Sequence, residues 1–422
     1  MRKTQPLDNV FDEHWIYFDQ IQHTTFNILT RFRLQGSITE CSIQSALNHL
    51  HQKHPYLNAQ VEKQPNGEGF QLVYNPSTPL KYRLIESTED ALNTLMNTRS
   101  PMLKKRMNLY AGELFFLTIW QANDQWVLEC CIPHFLADTL GLLTLSSDLL
   151  DYLDNPANTN EISPQERYSY HQLTADWPID ERPITPLSLD PSEAIPNPDW
   201  KTTSIAYQRK IFPKNTLQQL KDLLVANKMQ AKEMDFFYYI LEQMYNKHFQ
   251  QKMPLSCVFS YRSLLNKQHQ NAINNLIVFS LIDVDKQQFP TPADWMDDFA
   301  FQRHSIVCKQ GAMEIAYYLK NLNHTLKHSS KDEAQPLLNQ LISYQVSMIN
   351  NLGNLDTYFS PSNFKILDID IQDAVPAQEI RTFSYQGERH FNLSLPHTHK
   401  LLSTEQFWQL FMKEVNYLLG ND

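Results

Sequence analysis

The sequence predicts a mixed α/β protein made of two halves, and three observations lead there. Short β-rich runs alternate with helical patterns along both halves of the chain. Between residues 155 and 198 the texture changes to Pro, Ser, Thr, Asn and Asp with little periodicity, which reads as a linker over the surface. With 422 residues and 42% hydrophobic content, the chain has material for two domains. The expected division is 1–154, a linker at 155–200, and 201–422.

Taken in order, residues 7–19 mix acidic and aromatic side chains in a helical rhythm. Residues 26–34 alternate as a strand that Gly36 turns, with Ser37 or Thr39 placed to cap the next helix. Ile43, Ala46, Leu47 and Leu50 bury one helix face, and Pro55 stops that helix near His54. Residues 64–69 form a hairpin loop between two short β-type runs, and a helical pattern spans 86–98. The runs 114–120 and 126–132 flank a turn and are almost wholly apolar. A strand apolar on both faces is covered on both, so this pair belongs in the interior of a sheet.

The second of these strands ends in Ile132-Pro133-His134-Phe135-Leu136-Ala137-Asp138-Thr139-Leu140-Gly141. Pro133 cannot donate to a ladder, and a Leu-rich helix begins at about Thr139, so the stretch is strand, loop, helix. An imidazole and a carboxylate four residues apart would share a face of a helical turn, which reads first as an Asp orienting a catalytic His. The chain holds 15 His, and spacing alone leaves open that His134 is an ordinary satisfied side chain.

In the second half, the patterns predict a strand at 202–212, helices at 214–227 and 236–249, and a strand at 254–261 ending in Arg262. Taken by itself, Arg262 is a surface charge after a strand. Further strands fall at 382–385 and 391–395, helices lie between 295 and 326, and an amphipathic helix closes the chain at 404–419.

Composition excludes several functions. A formal charge of −10 argues against a nucleic-acid partner, and an anionic co-substrate would need a local basic patch. Five scattered Cys without CxxC give neither a disulfide framework nor a zinc site. Residues 1–22 contain no apolar core of a cleaved signal, and no run approaches the ~18 residues of a membrane span, so a cytoplasmic protein is expected. GxGxxG, GxxxxGK[ST], GxSxG and HExxH are all absent. His49, His51 and His54 share a helix region, and His397 and His399 form an HxH. A solvated helix face and a loop account for them, and no metal is expected.

The block at 132–141 resembles the HHxxxDG motif shared by condensation domains of nonribosomal peptide synthesis, chloramphenicol acetyltransferase, alcohol acetyltransferases and polyketide-associated acyltransferases. His134 matches the second, catalytic His and Asp138 the Asp. Pro133 stands for the first His, as in plant-type relatives that keep only HxxxD, and Thr139 stands for the Gly, where a side chain is expected to crowd the reacting centre. The stretch RLQGSITECSIQSALNHLHQKHPYLNAQV resembles the family's helix ending in a His-Pro-x-Leu corner. CVFSYRSLL resembles the strand whose Arg pairs with the motif Asp, NAINNLIVFSLIDVD (271–285) the family's next strand near the domain junction, and VSMINNLGNL the Asn-Leu-Gly strand near the cleft. These matches, with the opening and closing helices, follow family order over essentially the whole chain.

The resemblance implies two chloramphenicol acetyltransferase-like α/β subdomains, each a two-layer α+β sandwich, forming a V-shaped pseudo-dimer. His134 would lie at their junction, reached by a tunnel from both faces. It would act as general base while an acceptor hydroxyl or amine attacks a thioester, with Asp138 structural and paired to Arg262. Pro133, Thr139, Gly141, Asn351 and Gly353 would lie near. The thioester would come from acyl-CoA or phosphopantetheine on an acyl carrier protein, with no permanently bound cofactor and a monomeric enzyme. Two alternatives stay open: a condensation enzyme joining carrier-bound substrates, and a catalytically degenerate binding module of the same fold.

Overall fold

The computed structural model describes every residue except 1, 68, 75–77, 157–161, 188–203, 227, 228, 230, 250–254, 285–287, 342–346, 376, 397–402, 421 and 422; His397 and His399 thus lie outside the described residues. The first half runs β1 (Lys3–Leu7), α1 (Val10–Gln22), β2 (Asn27–Gly36), α2 (Glu40–Lys53), β3 (Gln60–Lys63), β4 (Phe70–Tyr74), β5 (Tyr82–Glu86), α3 (Glu89–Met96), β6 (Phe116–Ala122), β7 (Gln125–Pro133) and α4 (Thr139–Asp154). After α5 (Tyr170–Leu173) come β8 (Ile205–Phe212), α6 (Lys214–Ala226), α7 (Glu233–Phe249), β9 (Leu255–Ser260), β10 (Ile277–Ile282), α8 (Pro292–Ile306), α9 (Lys309–His328) and α10 (Lys331–Leu341). The chain closes with β11 (Ser347–Asn354), β12 (Phe364–Asp373), β13 (Gln378–Tyr385), β14 (Glu388–Pro396) and α11 (Thr404–Leu419).

Two large sheets carry the two halves. The first has the order β12-β2-β7-β6-β5, and its central strand is β7, as its two apolar faces require. The second has the order β10-β9-β11-β13-β14-β8, and a small sheet β1-β4-β3 flanks the first half. Against the second sheet, Phe212, Phe237, Phe391, Trp408 and Phe411 from two strands and two helices form one aromatic cluster with centroids 5.1–6.2 Å apart.

The expected starts of α2 and α4 are found. Thr39 caps α2 through a reciprocal box with Ser42, and Asp138 caps α4 by accepting from the Gly141 N–H at 2.8 Å. Five labelled elements, β1, β5, α5, α10 and β12, are absent from the sequence reading. β1 contains Pro6, which is tolerated because β1 is the edge of its sheet. α10 carries Pro336 inside it. β12 is the consequential one: it belongs to the second half in sequence yet lies beside β2 in the first sheet, pairing from Phe364↔Gly36 to Asp373↔Ile28. Its Ile366, Ile369 and Ile371 are buried, while acidic residues alternate with them.

The segment after α4 is also more than a surface linker. Arg167, Leu173 and Trp177 are buried, and α5 starts with a capping box at Ser169. A hydrophobic face and hydrogen-bond partners outside the segment hold it in place, which its Pro content concealed.

The junction of β2 and β12 is tight. Gly36 has φ +148°, and a Cβ there would meet Phe364 Cβ at 2.9 Å and the Asn363 carbonyl at 3.2 Å. Gly36→Ala is therefore expected to cost about 1–3 kcal/mol through overpacking and backbone strain. In urea unfolding this appears as a lower midpoint at unchanged slope. An unchanged midpoint would mean that β12 is not pinned at this point.

Candidate active site

The ladder of β2 and β7 ends at the pair Asn27↔Pro133, and one further bond, from His134 N–H to the Phe26 carbonyl at 2.6 Å, sets the backbone of His134. The imidazole is only 2% exposed. Trp15 of α1 stacks on it with centroids 4.5 Å apart and planes 13° from parallel. The Asn275 side-chain amide lies 3.2 Å from His134 Nδ1 and donates to the His134 carbonyl at 3.2 Å. These contacts occupy the Nδ1 side and one face, leaving the edge with Nε2 for chemistry.

Burial pushes the His134 imidazole below its ordinary pKa, and the charges of Asp373 and Asp138 draw it part of the way back. The neutral, proton-accepting form is therefore favoured. His14, next to Trp15, is a second buried imidazole, and desolvation together with its neighbour His134 lowers it to about 3. Both rings are uncharged near neutral pH.

Asp138 does not hydrogen-bond His134; its carboxylate faces the other half of the protein. Oδ1 accepts from Gly141 N, and Oδ2 accepts from the Leu276 N–H at 2.8 Å and from Arg262 Nη1. Arg262 Nη2 donates to the Ala272 and Asn274 carbonyls at 3.0 and 2.9 Å. Both side chains are buried, so Arg262 is not a surface charge. A 3₁₀ turn at Tyr261–Leu264, immediately after β9, swings it inward.

The remaining expected residues divide. Pro133 ends β7, as its missing N–H requires. Thr139 is the first residue of α4 and does not have a left-handed φ, so the backbone has no need of Gly there. The position that does need Gly is Gly141, where a Cβ would stand 2.9 Å from Ala137 Cβ and 3.3 Å from Arg262 Nη2. Asn351 accepts from Gly353 N and from Arg389 Nη2, each at 3.1 Å, and Gly353 has φ +78°. Among the described residues neither forms a hydrogen bond to the His134 loop. His49, His51 and His54 do not converge: His54 Nε2 lies 2.7 Å from Asp148 Oδ2, while His49 packs against Tyr152. Among the described residues no group of His, Cys, Asp or Glu is arranged to hold a metal, and no helix is long and apolar enough to cross a membrane.

Sequence reasoning missed His14, Trp15, Asn275, Asp12 and Arg167. The first two lie in the aromatic-acidic stretch 7–19, where helical rhythm marks a buried face without saying what it meets. Asn275 follows Asn274 in a run otherwise read as a strand, and two adjacent buried Asn before a strand were the available signal.

No family model matches the sequence, and no curated protein matches it. Solved structures do. The condensation domain of the Monacolin K polyketide synthase MokA superposes with TM-score 0.68 at 11% identity, covering 99% of this chain and 98% of that one. VibH, a nonribosomal peptide synthetase condensation enzyme, gives 0.64 at 11%, covering 99% and 98%. The TRI3 trichothecene 15-O-acetyltransferase from Fusarium sporotrichioides gives 0.63 at 9%, covering 99% and 94%. The chain thus has a condensation-domain and acyltransferase type of fold. More narrowly, it has the pseudo-dimeric, chloramphenicol acetyltransferase-like form of that fold.

Removing either partner of the Asp138–Arg262 pair strands the other as an unpaired buried charge, which costs about 3–5 kcal/mol. Asp138→Asn and Arg262→Ala should each lower the unfolding midpoint, and a double-mutant cycle should show them far from additive. Additive losses would mean that the two residues act separately. Gly141→Ala should also destabilise, by pushing Ala137 and the guanidinium apart; wild-type stability in that variant would show that the loop has room to give.

Proposed function

We propose that this protein is an acyltransferase that moves an acyl group from a thioester to a hydroxyl or amine, with His134 as general base. The observation that carries this reading is a buried imidazole, shifted toward its neutral form by burial, held at the end of the central strand of the first sheet. Its Nδ1 side and one face are in contact with Asn275 and Trp15, and among the described residues Nε2 forms no hydrogen bond. The full-length likeness to condensation and acetyltransferase structures supports it.

In this mechanism the neutral ring carries its proton on Nδ1, and Nε2 takes the proton from the acceptor O–H or N–H as the acceptor oxygen or nitrogen attacks the thioester carbonyl. The C–S bond then breaks, and the proton passes from the imidazolium to the departing thiolate, so no covalent enzyme intermediate forms. Asp138 does not orient the base; it pairs with Arg262 and keeps the loop and α4 in register. The donor is acyl-CoA or a phosphopantetheine thioester, and the acceptor is a small molecule. No resident cofactor or metal is required.

The test is a panel of acyl-CoA donors from acetyl to long chain, with alcohols and amines as acceptors, followed by thiol release. Because the ring is enclosed and stacked on Trp15, His134→Ala removes packing as well as the base, so His134→Gln is run beside it. Both should lose about 10²–10⁴-fold in kcat/KM, the contribution of a general base. Full turnover in His134→Gln would remove the residue from the mechanism. Absence of turnover in the unmodified protein with every CoA donor, and with carrier-bound donors, would favour a binding module.

The pH dependence has a definite sign. A base works when unprotonated, and burial lowers the His134 pKa, so the acid limb of the kcat/KM profile should have its midpoint below 6.5. A limb at or above the ordinary histidine value would contradict the buried, neutral imidazole.

A further inference from the structure

Around the His134 loop runs a closed circuit of hydrogen bonds that the mechanism above leaves unused. Arg167 Nη2 donates to Asp12 Oδ2 at 2.6 Å and to the Phe135 carbonyl at 3.3 Å. Asn9 Nδ2 bonds Asp12 Oδ1 at 3.2 Å and the Asn275 carbonyl at 3.1 Å. Asn275 returns to His134 through its side-chain amide. The circuit thus passes His134, Phe135, Arg167, Asp12, Asn9 and Asn275. Arg167, Asp12, Asn9 and Asn275 are each no more than 5% exposed.

Arg167 comes from the stretch between α4 and α5 that its composition marked as linker. That stretch is tied on both sides: Gln165 N donates to the Lys53 carbonyl at 2.7 Å and Gln5 Nε2 to the Arg167 carbonyl at 2.6 Å. On the far side, Tyr168 N donates to Asn274 Oδ1 and Asn274 Nδ2 to the Tyr168 carbonyl, at 3.2 and 2.9 Å. The Asn274 backbone carbonyl is in turn one of the acceptors of Arg262. The strap therefore joins the first half to the segment that steadies Asp138.

We infer that Arg167 is a positioning residue for His134, because one guanidinium holds both the backbone immediately after the imidazole and, through Asp12, the helix whose Trp15 stacks on it. Asp12 lies three residues before Trp15, one turn away on α1, so displacement at Asp12 is passed to the stacking ring. A planar guanidinium can hold two acceptors from one nitrogen in fixed geometry, which an ammonium on a flexible stem does not reproduce. Nε and Nη1 of Arg167 are buried and make no hydrogen bond among the described residues. The residue is thus incompletely satisfied where it stands, as expected of a group kept for placement rather than for stability. The inference rests on His134 being the base, and its test is chosen to stand apart from that reading.

The experiment compares Arg167→Lys, Arg167→Met and Asp12→Asn in the full chain. The first readout needs no turnover: the ring C–H resonance of His134 in histidine-labelled protein, identified by its loss in His134→Ala. Arg167→Met and Asp12→Asn should move that resonance and its titration midpoint, with circular dichroism showing the fold retained; Arg167→Lys should restore neither fully. The second readout uses whichever acyl-CoA the panel shows to be turned over. There kcat should fall about 10²-fold, the scale of a 1 Å misplacement, with KM for the donor nearly unchanged. If Arg167→Met does not fold, Asp12→Asn, close in shape, carries the test. An unmoved His134 resonance in a folded variant overturns the inference. If no donor is turned over by the unmodified protein, the acyl-transfer reading fails, while the resonance still decides the role of Arg167.

Discussion

The carboxylate of Asp138 is where the two halves of this protein are made into one site. One oxygen terminates the N-terminus of α4, where a negative charge also suits the helix dipole, and the other takes a backbone N–H and a guanidinium from the second half. Strand β7, helix α4 and the connection from β9 to β10 therefore meet at a single buried charge. An ion pair of this kind gives little stability beyond what apolar residues would give, but it tolerates only one geometry. That is the property the proposed role of His134 as general base needs.

A second layer of buried charge lies where β12 meets the second sheet. Arg209 grips Asp368 through two bonds at 2.7 and 2.6 Å, Tyr207 donates to Asp370, and Asn392 Nδ2 donates to Asp370 at 3.0 Å. At the strand's end Arg381 pairs with both Asp373 and Glu379. β12 thus has its isoleucines in the core and its acids paired across to the other sheet, so the strand that completes the first sheet also ties it to the second. Burial raises Glu379 to about 7 against the pull of Arg381, and Asp373 is one of the charges felt by His134. The electrostatic setting of the imidazole is therefore shaped from this layer as well as from its own loop.

His134 itself is confined by groups of little charge: an indole on its face and an Asn amide on its Nδ1 side. This differs from a carboxylate-backed histidine, in which a neighbouring negative charge raises the pKa and favours the imidazolium. Here the ring is kept uncharged by exclusion of water, and its orientation comes from stacking and from the hydrogen-bond circuit through Asn275, Asn9, Asp12 and Arg167.

Much of the local structure was determined by sequence alone. The apolar faces of residues 126–132 place β7 at the sheet's centre, Pro133 ends it, and an Asp before a Leu-rich run starts α4, because each of these is settled by a few neighbouring residues. The pairing of Arg262 with Asp138, 124 positions apart, was expected from family resemblance; the residues themselves allowed a surface charge. The tertiary structure alone decided that β12 crosses into the first sheet, that Trp15 meets His134, and that Arg167 reaches Asp12 across 155 positions. It also showed that Gly141, rather than position 139, is the residue in the motif with no space for a side chain. Periodicity tells which face of an element is buried, but the partner of that face is chosen by packing over the whole chain, and no local pattern encodes it.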